Sequence, residues 1–223
     1  MNIITIGQQF EMGKLVAEKL GAMKADGGSV QVAIKSSDHP FWSDMVKHFS
    51  QKIKFVLRQL KTVTVAAVGA KNTADCFTNT ARYYRDPSLG ADFPKIQPVQ
   101  PESKFTVCEL TQDATFREMS ESVLGVSGDI RTLSKLLKES GHTTILPVIE
   151  ALVERQESGE DTGLLTNGWA NFFFVDNEDG ESVSVVGLDR CGRQWGVCRC
   201  PLGRDRRWDA GRRFFLRNFL GTL

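Results

Sequence analysis

The chain has 223 residues, of which 41% are hydrophobic and 25% charged. These values are typical of a soluble globular protein, and they exclude collagen-like, wholly disordered and membrane-spanning chains. The 28 Lys and Arg residues nearly balance the 27 Asp and Glu residues, so the net charge of +1 indicates no class of partner.

The first 88 residues are predicted to form a mixed α/β region, because strand-like and helix-like apolar spacings alternate along them. The spacing predicts strands at 3–6, 30–34 and 63–68 and helices at 12–23, 45–61 and 73–84. The helix predicted at 45–61 carries only basic charges, because no acidic residue follows Asp44 within it.

Residues 89–103 are predicted to be a linker or a long loop. They contain Pro94, Pro98 and Pro101 and have no apolar period, a pattern that favours an extended connection. The sequence therefore predicts one region at 1–88 and a second at 104–223.

The second region is predicted to hold helices packed on a C-terminal four-stranded antiparallel meander. A strand at 105–110 precedes helices at 113–124, 129–140 and 143–153, and four strands follow at 170–175, 182–188, 194–200 and 212–217. Asn-Gly, Asp-Gly and Cys-Gly pairs supply turns between or before the last strands. The predicted fold class is α/β, of the α+β type.

Charge is distributed unevenly within the second region. Residues 154–181 contain eight acidic residues and one basic residue, whereas residues 189–217 contain nine arginines, no lysine and three acidic residues. The basic segment also contains Trp195 and Trp208. Since arginine binds phosphate through two parallel hydrogen bonds and stacks on planar rings, this composition favours a surface for single-stranded nucleic acid or another polyanion.

On this hypothesis, five arginines are the predicted phosphate contacts and the two tryptophans are the predicted stacking platforms. The arginines are Arg199, Arg206, Arg207, Arg212 and Arg213. The alternative is a protein–protein interaction or structural role, in which the acidic segment of one chain pairs with the basic segment of another in a homo-oligomer.

The five cysteines raise two further hypotheses. Cys76 lies near the start of a predicted helix, a position that favours a reactive thiolate. A catalytic base would have to be one of the three histidines, and no spacing in the sequence identifies which one. Cys191, Cys198 and Cys200 are close together, and the last two would share one face of a strand. Their spacing is not that of a zinc knuckle and a fourth ligand is missing, so we predict no metal site, with these three as the candidates.

Two segments of the last third resemble the end of a group of uncharacterised bacterial proteins of unknown function. The segments are residues 164–175, LLTNGWANFFFV, and residues 207–218, RWDAGRRFFLRN; the helix that carries Glu150 and Glu154 fits the same layout. No activity or binding residue follows from this resemblance. The clustered cysteines and the density of arginine depart from the pattern, so the resemblance supports neither the metal nor the nucleic-acid hypothesis.

The sequence contains no phosphate-binding glycine loop, no zinc-protease motif and no nucleophile elbow. An odd number of cysteines without a secretion-type leader predicts reduced thiols in the cytoplasm. We therefore predict a cytoplasmic, non-enzymatic binding protein without a cofactor or membrane contact, with an enzyme that uses Cys76 as a further alternative.

Overall fold

A computed structural model describes residues 56–90 and 92–218. The strands predicted at 3–6 and 30–34, the helix at 12–23 and most of the helix at 45–61 lie outside these residues. The described part contains nine strands, three α-helices and a 3-10 helix at Thr73–Asp75. The strands are β1 (Leu57–Val65), β2 (Lys71–Asn72), β3 (Tyr83–Arg85), β4 (Ile96–Gln97), β5 (Ser103–Leu110), β6 (Asn171–Asp176), β7 (Val183–Cys191), β8 (Gln194–Pro201) and β9 (Arg213–Arg217), and the helices are α1 (Phe116–Leu124), α2 (Ile130–Glu139) and α3 (Leu146–Glu157).

Seven of the strands form one mixed sheet in the order β1-β5-β9-β6-β7-β8-β3, and β2 pairs with β4 in a small second sheet. Neighbours in the large sheet are antiparallel except for β6 with β9 and β3 with β8, which are parallel. The prediction of an α+β fold is confirmed.

The predicted four-stranded meander is not confirmed. β6, β7 and β8 are consecutive and antiparallel, but β9 crosses to the other side of β6 and lies between β5 and β6. The physical reason is the apolar run Phe214, Phe215 and Leu216, all of which are fully buried. A strand that is apolar on both faces needs cover on both faces, which an interior position in the sheet provides.

Helices cover the sheet on both faces, and the alternation of side chains along each strand divides the core in two. Phe173 and Phe215 stack at 4.7 Å between ring centroids on the face that α3 covers, which we call the α3 face. Phe172, Phe174 and Phe214 pack with α1 and α2 on the opposite face, the α1/α2 face.

The helix termini follow local signals in the sequence. Asp129 caps α2 as predicted, and its carboxylate accepts the backbone N–H of Thr132 at 2.8 Å. Helix α3 begins later than predicted: Ile145 is its N-cap in place of Thr143, and Pro147 lies in its first turn.

Two predicted helices are wrong where the structure describes them. Residues 57–61 belong to β1, in which exposed and less exposed side chains alternate and the backbone pairs with β5. Residues 73–84 hold only the short 3-10 helix before β3 begins at Tyr83. Phe77 adopts a left-handed φ of 58°, which a continuous α-helix does not allow.

The segment 89–103 packs onto the sheet. Leu89 and Phe93 are buried, and the backbone groups of Gln100 bond to those of Val68 at 2.8 and 3.0 Å. β1 and β3 precede this segment and β5 follows it, and all three belong to the same sheet. The division into 1–88 and 104–223 stays a prediction, because most of the first region lies outside the described residues.

Candidate functional site

Most of the predicted phosphate-binding arginines are paired within the chain. Arg199 forms an ion pair with Asp92 at 2.5 Å, Arg207 with Glu118 at 3.0 Å, and Arg212 with Asp209 at 2.7 Å. Arg213 donates to the backbone carbonyl of Gly163. Arg206, in contrast, is exposed and forms no ion pair with any acidic residue of the described ranges.

The acidic and basic segments meet inside one molecule at Glu157 and Arg190. The guanidinium of Arg190 and the indole N–H of Trp195 both donate to the same oxygen of Glu157, the latter at 2.9 Å. Trp195 is fully buried on the α3 face. Its ring has no free face on which a base could stack, so it is not a platform in this fold.

Trp208 is also largely buried, with 9% of its surface exposed. Its ring lies 5.5 Å from that of Phe116 and 4.9 Å from that of Phe172, on the α1/α2 face. The guanidinium of Arg206 lies over the ring at 4.3 Å from its centroid. Trp208 therefore holds the guanidinium of Arg206 against its ring, and no face of the ring is open to a base.

Trp169 completes a group of two arginines and two tryptophans. The guanidinium of Arg212 lies 5.5 Å from the centroid of Trp169 and 5.1 Å from that of Trp208. Trp169 is 41% exposed, so part of its ring is accessible. We call Trp169, Arg206, Trp208 and Arg212 the Arg–Trp surface.

The prediction from sequence missed Trp169 as a site residue, although two signals surround it. It follows the Asn167-Gly168 turn, and the oxygen of Asn167 accepts its backbone N–H at 3.2 Å. Gly211 approaches its ring so closely that a Cβ at this position would lie 2.8 Å from a ring carbon. Glycine at 211, with a φ of 89°, is thus required for the contact between the two loops.

The loop that carries the Arg–Trp surface is fixed to the residues before α1. The backbones of Ala114 and Trp208 exchange two hydrogen bonds of 3.0 and 2.8 Å, and Asp113 accepts the N–H of Ala210 at 3.0 Å. Arg207 donates to Glu118 and to the carbonyl of Asp113. These bonds hold the loop in place, so Arg206 is presented from an ordered backbone.

A cavity of about 450 Å³ lies beside β3 and the hairpin of β7 and β8. It is on the α1/α2 face of the sheet, where Cys198 packs. Asp189, Cys198 and the exposed Tyr84 are among its lining residues. Burial raises the pKa of Asp189, and the positive charge of Arg212 opposes that rise.

The surroundings of Cys76 do not support a nucleophile. The side chain is fully buried, and burial, with a smaller effect of the Glu150 carboxylate, raises the pKa of its thiol to about 11. Of the three histidines, His39 and His48 lie outside the described residues, and Nδ1 of His142 lies 2.9 Å from the carbonyl oxygen of Arg217.

Cys198 and Cys200 contact each other along β8, as their spacing predicts. The sulfur of Cys200 accepts a hydrogen bond from Arg204 at 3.5 Å, and the Cys198 thiol is its neighbour on the same face of β8. The contact with Cys198 and the hydrogen bond from Arg204 lower the pKa of Cys200, and the same contact raises that of Cys198. Cys191 is exposed near the hairpin turn, and within residues 56–90 and 92–218 no three His, Cys, Asp or Glu side chains are placed to hold a metal ion.

No family model matches the chain, and neither the curated proteins nor the solved structures include a match. The resemblance of the last third to a group of bacterial proteins stays a prediction. Across the part of the chain that the structure describes, no helix is both long enough and apolar enough to cross a membrane.

Proposed function

We propose that the protein is a cytoplasmic, non-enzymatic binding protein whose Arg–Trp surface contacts single-stranded nucleic acid. The observation that carries the proposal is the placement of Arg206. Arg206 is exposed, its guanidinium lies 4.3 Å from the centroid of the Trp208 ring, and it forms no ion pair with the described acidic residues. The hydrogen bond from Arg212 lowers the pKa of Asp209, and the positive charge of Arg206 also lowers it. No carboxylate of the described residues binds the guanidinium of Arg206 directly, which leaves its N–H groups available to a phosphate.

In this proposal Trp169 is the residue on which a base stacks, in place of Trp195 and Trp208, which were predicted from the sequence. Part of its ring is exposed, and Arg212 lies beside it. A base that stacks on Trp169 would bring its phosphate near Arg206 and Arg212. Stacking on an aromatic side chain is tolerant of sequence, so we expect little preference among bases.

The expected contact is small. Asp209 already pairs with Arg212, and Arg199, Arg207 and Arg213 have partners within the fold. We therefore expect about one or two phosphates to be neutralised, by Arg206 and in part by Arg212, which predicts a slope of roughly −1 for log affinity against log salt concentration.

The test is fluorescence anisotropy with short labelled single strands of DNA and RNA over a salt series. Arg206→Glu should weaken binding by about tenfold, and Trp169→Ala should cost about 1–3 kcal/mol of binding free energy. Lys95→Glu makes the same change of charge at an exposed residue beside β4, and it should change affinity less than twofold. Equal losses in Arg206→Glu and Lys95→Glu, or no binding at low salt, would contradict the proposal.

A further inference from the structure

A second cavity, of about 580 Å³, lies where β7 begins and β8 ends. Helix α2 forms one wall through Ile130 and Ser134, and the loop after β8 forms another through Leu202 and Arg204. None of the four residues of the Arg–Trp surface lines this cavity. Its polar lining consists of Ser134, Asn177, Ser182, Ser184, Arg199 and Arg204.

Two buried polar atoms in this lining have no hydrogen-bond partner, namely Oγ of Ser134 and Oδ1 of Asn177. Their residues are 1% and 7% exposed. A buried serine within a helix ordinarily bonds to the carbonyl four residues before it, as Ser120 of α1 does with Phe116 at 2.8 Å. Ser134 makes no such bond, so its hydroxyl is left available to a group in the cavity.

The orientation of Asn177 is fixed by Ser182. The side-chain amide of Asn177 donates to Oγ of Ser182 at 2.7 Å, and its backbone N–H donates to the carbonyl of Ser182 at 3.1 Å. Because the amide nitrogen is engaged, the unpartnered oxygen is a defined acceptor. It requires a donor such as a hydroxyl group.

The charge of the lining is positive, since two arginines and no carboxylate belong to it. Arg199 is already held by Asp92 at 2.5 Å and by the hydroxyl of Ser184 at 2.9 Å. Arg204 is exposed and forms no ion pair within the described ranges, and its guanidinium donates to the sulfur of Cys200 at 3.5 Å. Arg204 is thus the arginine of this lining that no described carboxylate neutralises.

We propose that this cavity binds a small anion that also carries hydroxyl groups, with the class of short polyol phosphates as the ligand. Arg204 holds the anionic group, Oδ1 of Asn177 accepts a ligand hydroxyl, and the hydroxyl of Ser134 bonds to a ligand oxygen. The proposal does not depend on nucleic-acid binding, because it uses none of the residues of the Arg–Trp surface.

The test is isothermal titration of the full chain with three probes: glycerol 3-phosphate, inorganic phosphate and glycerol. Only the first offers both the anion and the hydroxyls, so it should bind at least tenfold more tightly than either of the others. Equal binding of phosphate and glycerol 3-phosphate, or no binding of glycerol 3-phosphate at millimolar concentration, would overturn the proposal.

Three variants separate the contacts. Arg204→Gln should weaken glycerol 3-phosphate binding at least tenfold, and Ser134→Ala should weaken it severalfold. Asn177→Asp, which keeps the shape of the side chain but adds a negative charge, should abolish it. Arg131→Gln is the matched control, since Arg131 is an exposed residue of α2 that pairs with Glu181 and does not line the cavity; affinity should stay within twofold.

A purely structural role predicts a different result. Removing an unpartnered buried hydroxyl should then raise the melting temperature of Ser134→Ala while leaving the affinity for glycerol 3-phosphate unchanged, and that outcome would overturn the role of Ser134. Arg206→Glu should leave this affinity intact, so failure of one proposal does not imply failure of the other.

Discussion

Cys76 and Cys108 are thiols that burial makes unreactive. Both are fully buried, and burial raises the pKa of Cys76 to about 11 and that of Cys108 to about 12. At pH 8 we expect iodoacetamide to modify the exposed Cys191 well before either of them, since the thiolate is the reactive form. Peptide mass mapping against time, with and without denaturant, measures the order; rapid labelling of Cys76 in the folded protein would restore the nucleophile hypothesis.

Glu150 is a buried carboxylate that joins two separate parts of the fold. It accepts the backbone N–H of Phe77 at 3.0 Å and the ammonium of Lys71 at 2.5 Å. Glu150→Ala leaves the buried N–H without a partner, and we expect it to lower the free energy of unfolding by about 2 kcal/mol.

The control for Glu150 lies one turn further along the same helix. Glu154 is 59% exposed and lies 3.6 Å from Arg82. Glu154→Ala should change the free energy of unfolding by less than about 0.5 kcal/mol, the range of an exposed pair. Urea denaturation compares the two variants, and similar losses in both would show that the Glu150 contacts contribute little.

At the scale of the element, the stability of α1 depends on the hydrogen bonds of its first turn. Thr115 and Glu118 form a reciprocal capping box. Glu118 also forms an ion pair with Arg207, which lies in the loop of the Arg–Trp surface. Thr115→Ala should cost about 1 kcal/mol of stability, whereas Thr115→Ser should keep the cap. Thermal unfolding measures both variants, and equal melting temperatures would argue against the cap.

The same contact makes the stability of α1 depend on pH. Burial of Glu118 opposes its ionisation, but the N–H of Thr115 and the guanidinium of Arg207 outweigh this and lower its pKa. A lowered pKa means that the contribution is complete above the pKa of the unfolded chain and is lost as the pH falls through the folded pKa. The difference in the free energy of unfolding between the parent and Glu118→Gln should therefore become smaller as the pH falls.

Local signals were sufficient for most of the later elements. The continuous apolar residues of β6 and the caps of α1 and α2 are short-range features, and the predicted elements were found within a few residues of their positions. The helix predicted at 45–61 is wrong at residues 57–61, and the helix predicted at 73–84 is wrong, because both segments lead into strands that pair with distant parts of the chain. β1 pairs with β5 and β3 with β8, and no pattern within either segment encodes those partners.

The candidate site was only partly predictable for the same reason. Composition identified Arg206 and Arg212, but the partners that neutralise the other arginines come from other elements, as Asp92 does for Arg199 and Glu118 for Arg207. Trp195 could not be recognised as buried, since its register opposite Arg190 depends on the hairpin. The unpartnered atoms of Ser134 and Asn177 become apparent only when two elements are brought together.

At the scale of the whole molecule, the pairing of charges bears on self-association. Glu157 of the acidic segment already binds Arg190 of the basic segment within one chain. We therefore expect no association that depends on salt, and light scattering should give the same mass at low and high salt. A mass that falls as salt rises would instead favour the homo-oligomer held by the two segments.

The interior position of β9 also determines when the sheet can be completed during synthesis. β5 and β6 are made well before residues 213–217, yet both need β9 as a neighbour. Until that segment is available, β5 is paired only with β1 and β6 only with β7, so each strand has one open edge at what will later be the centre of the sheet. Such edges are templates for pairing with other chains, so a variant truncated before Arg213 should aggregate.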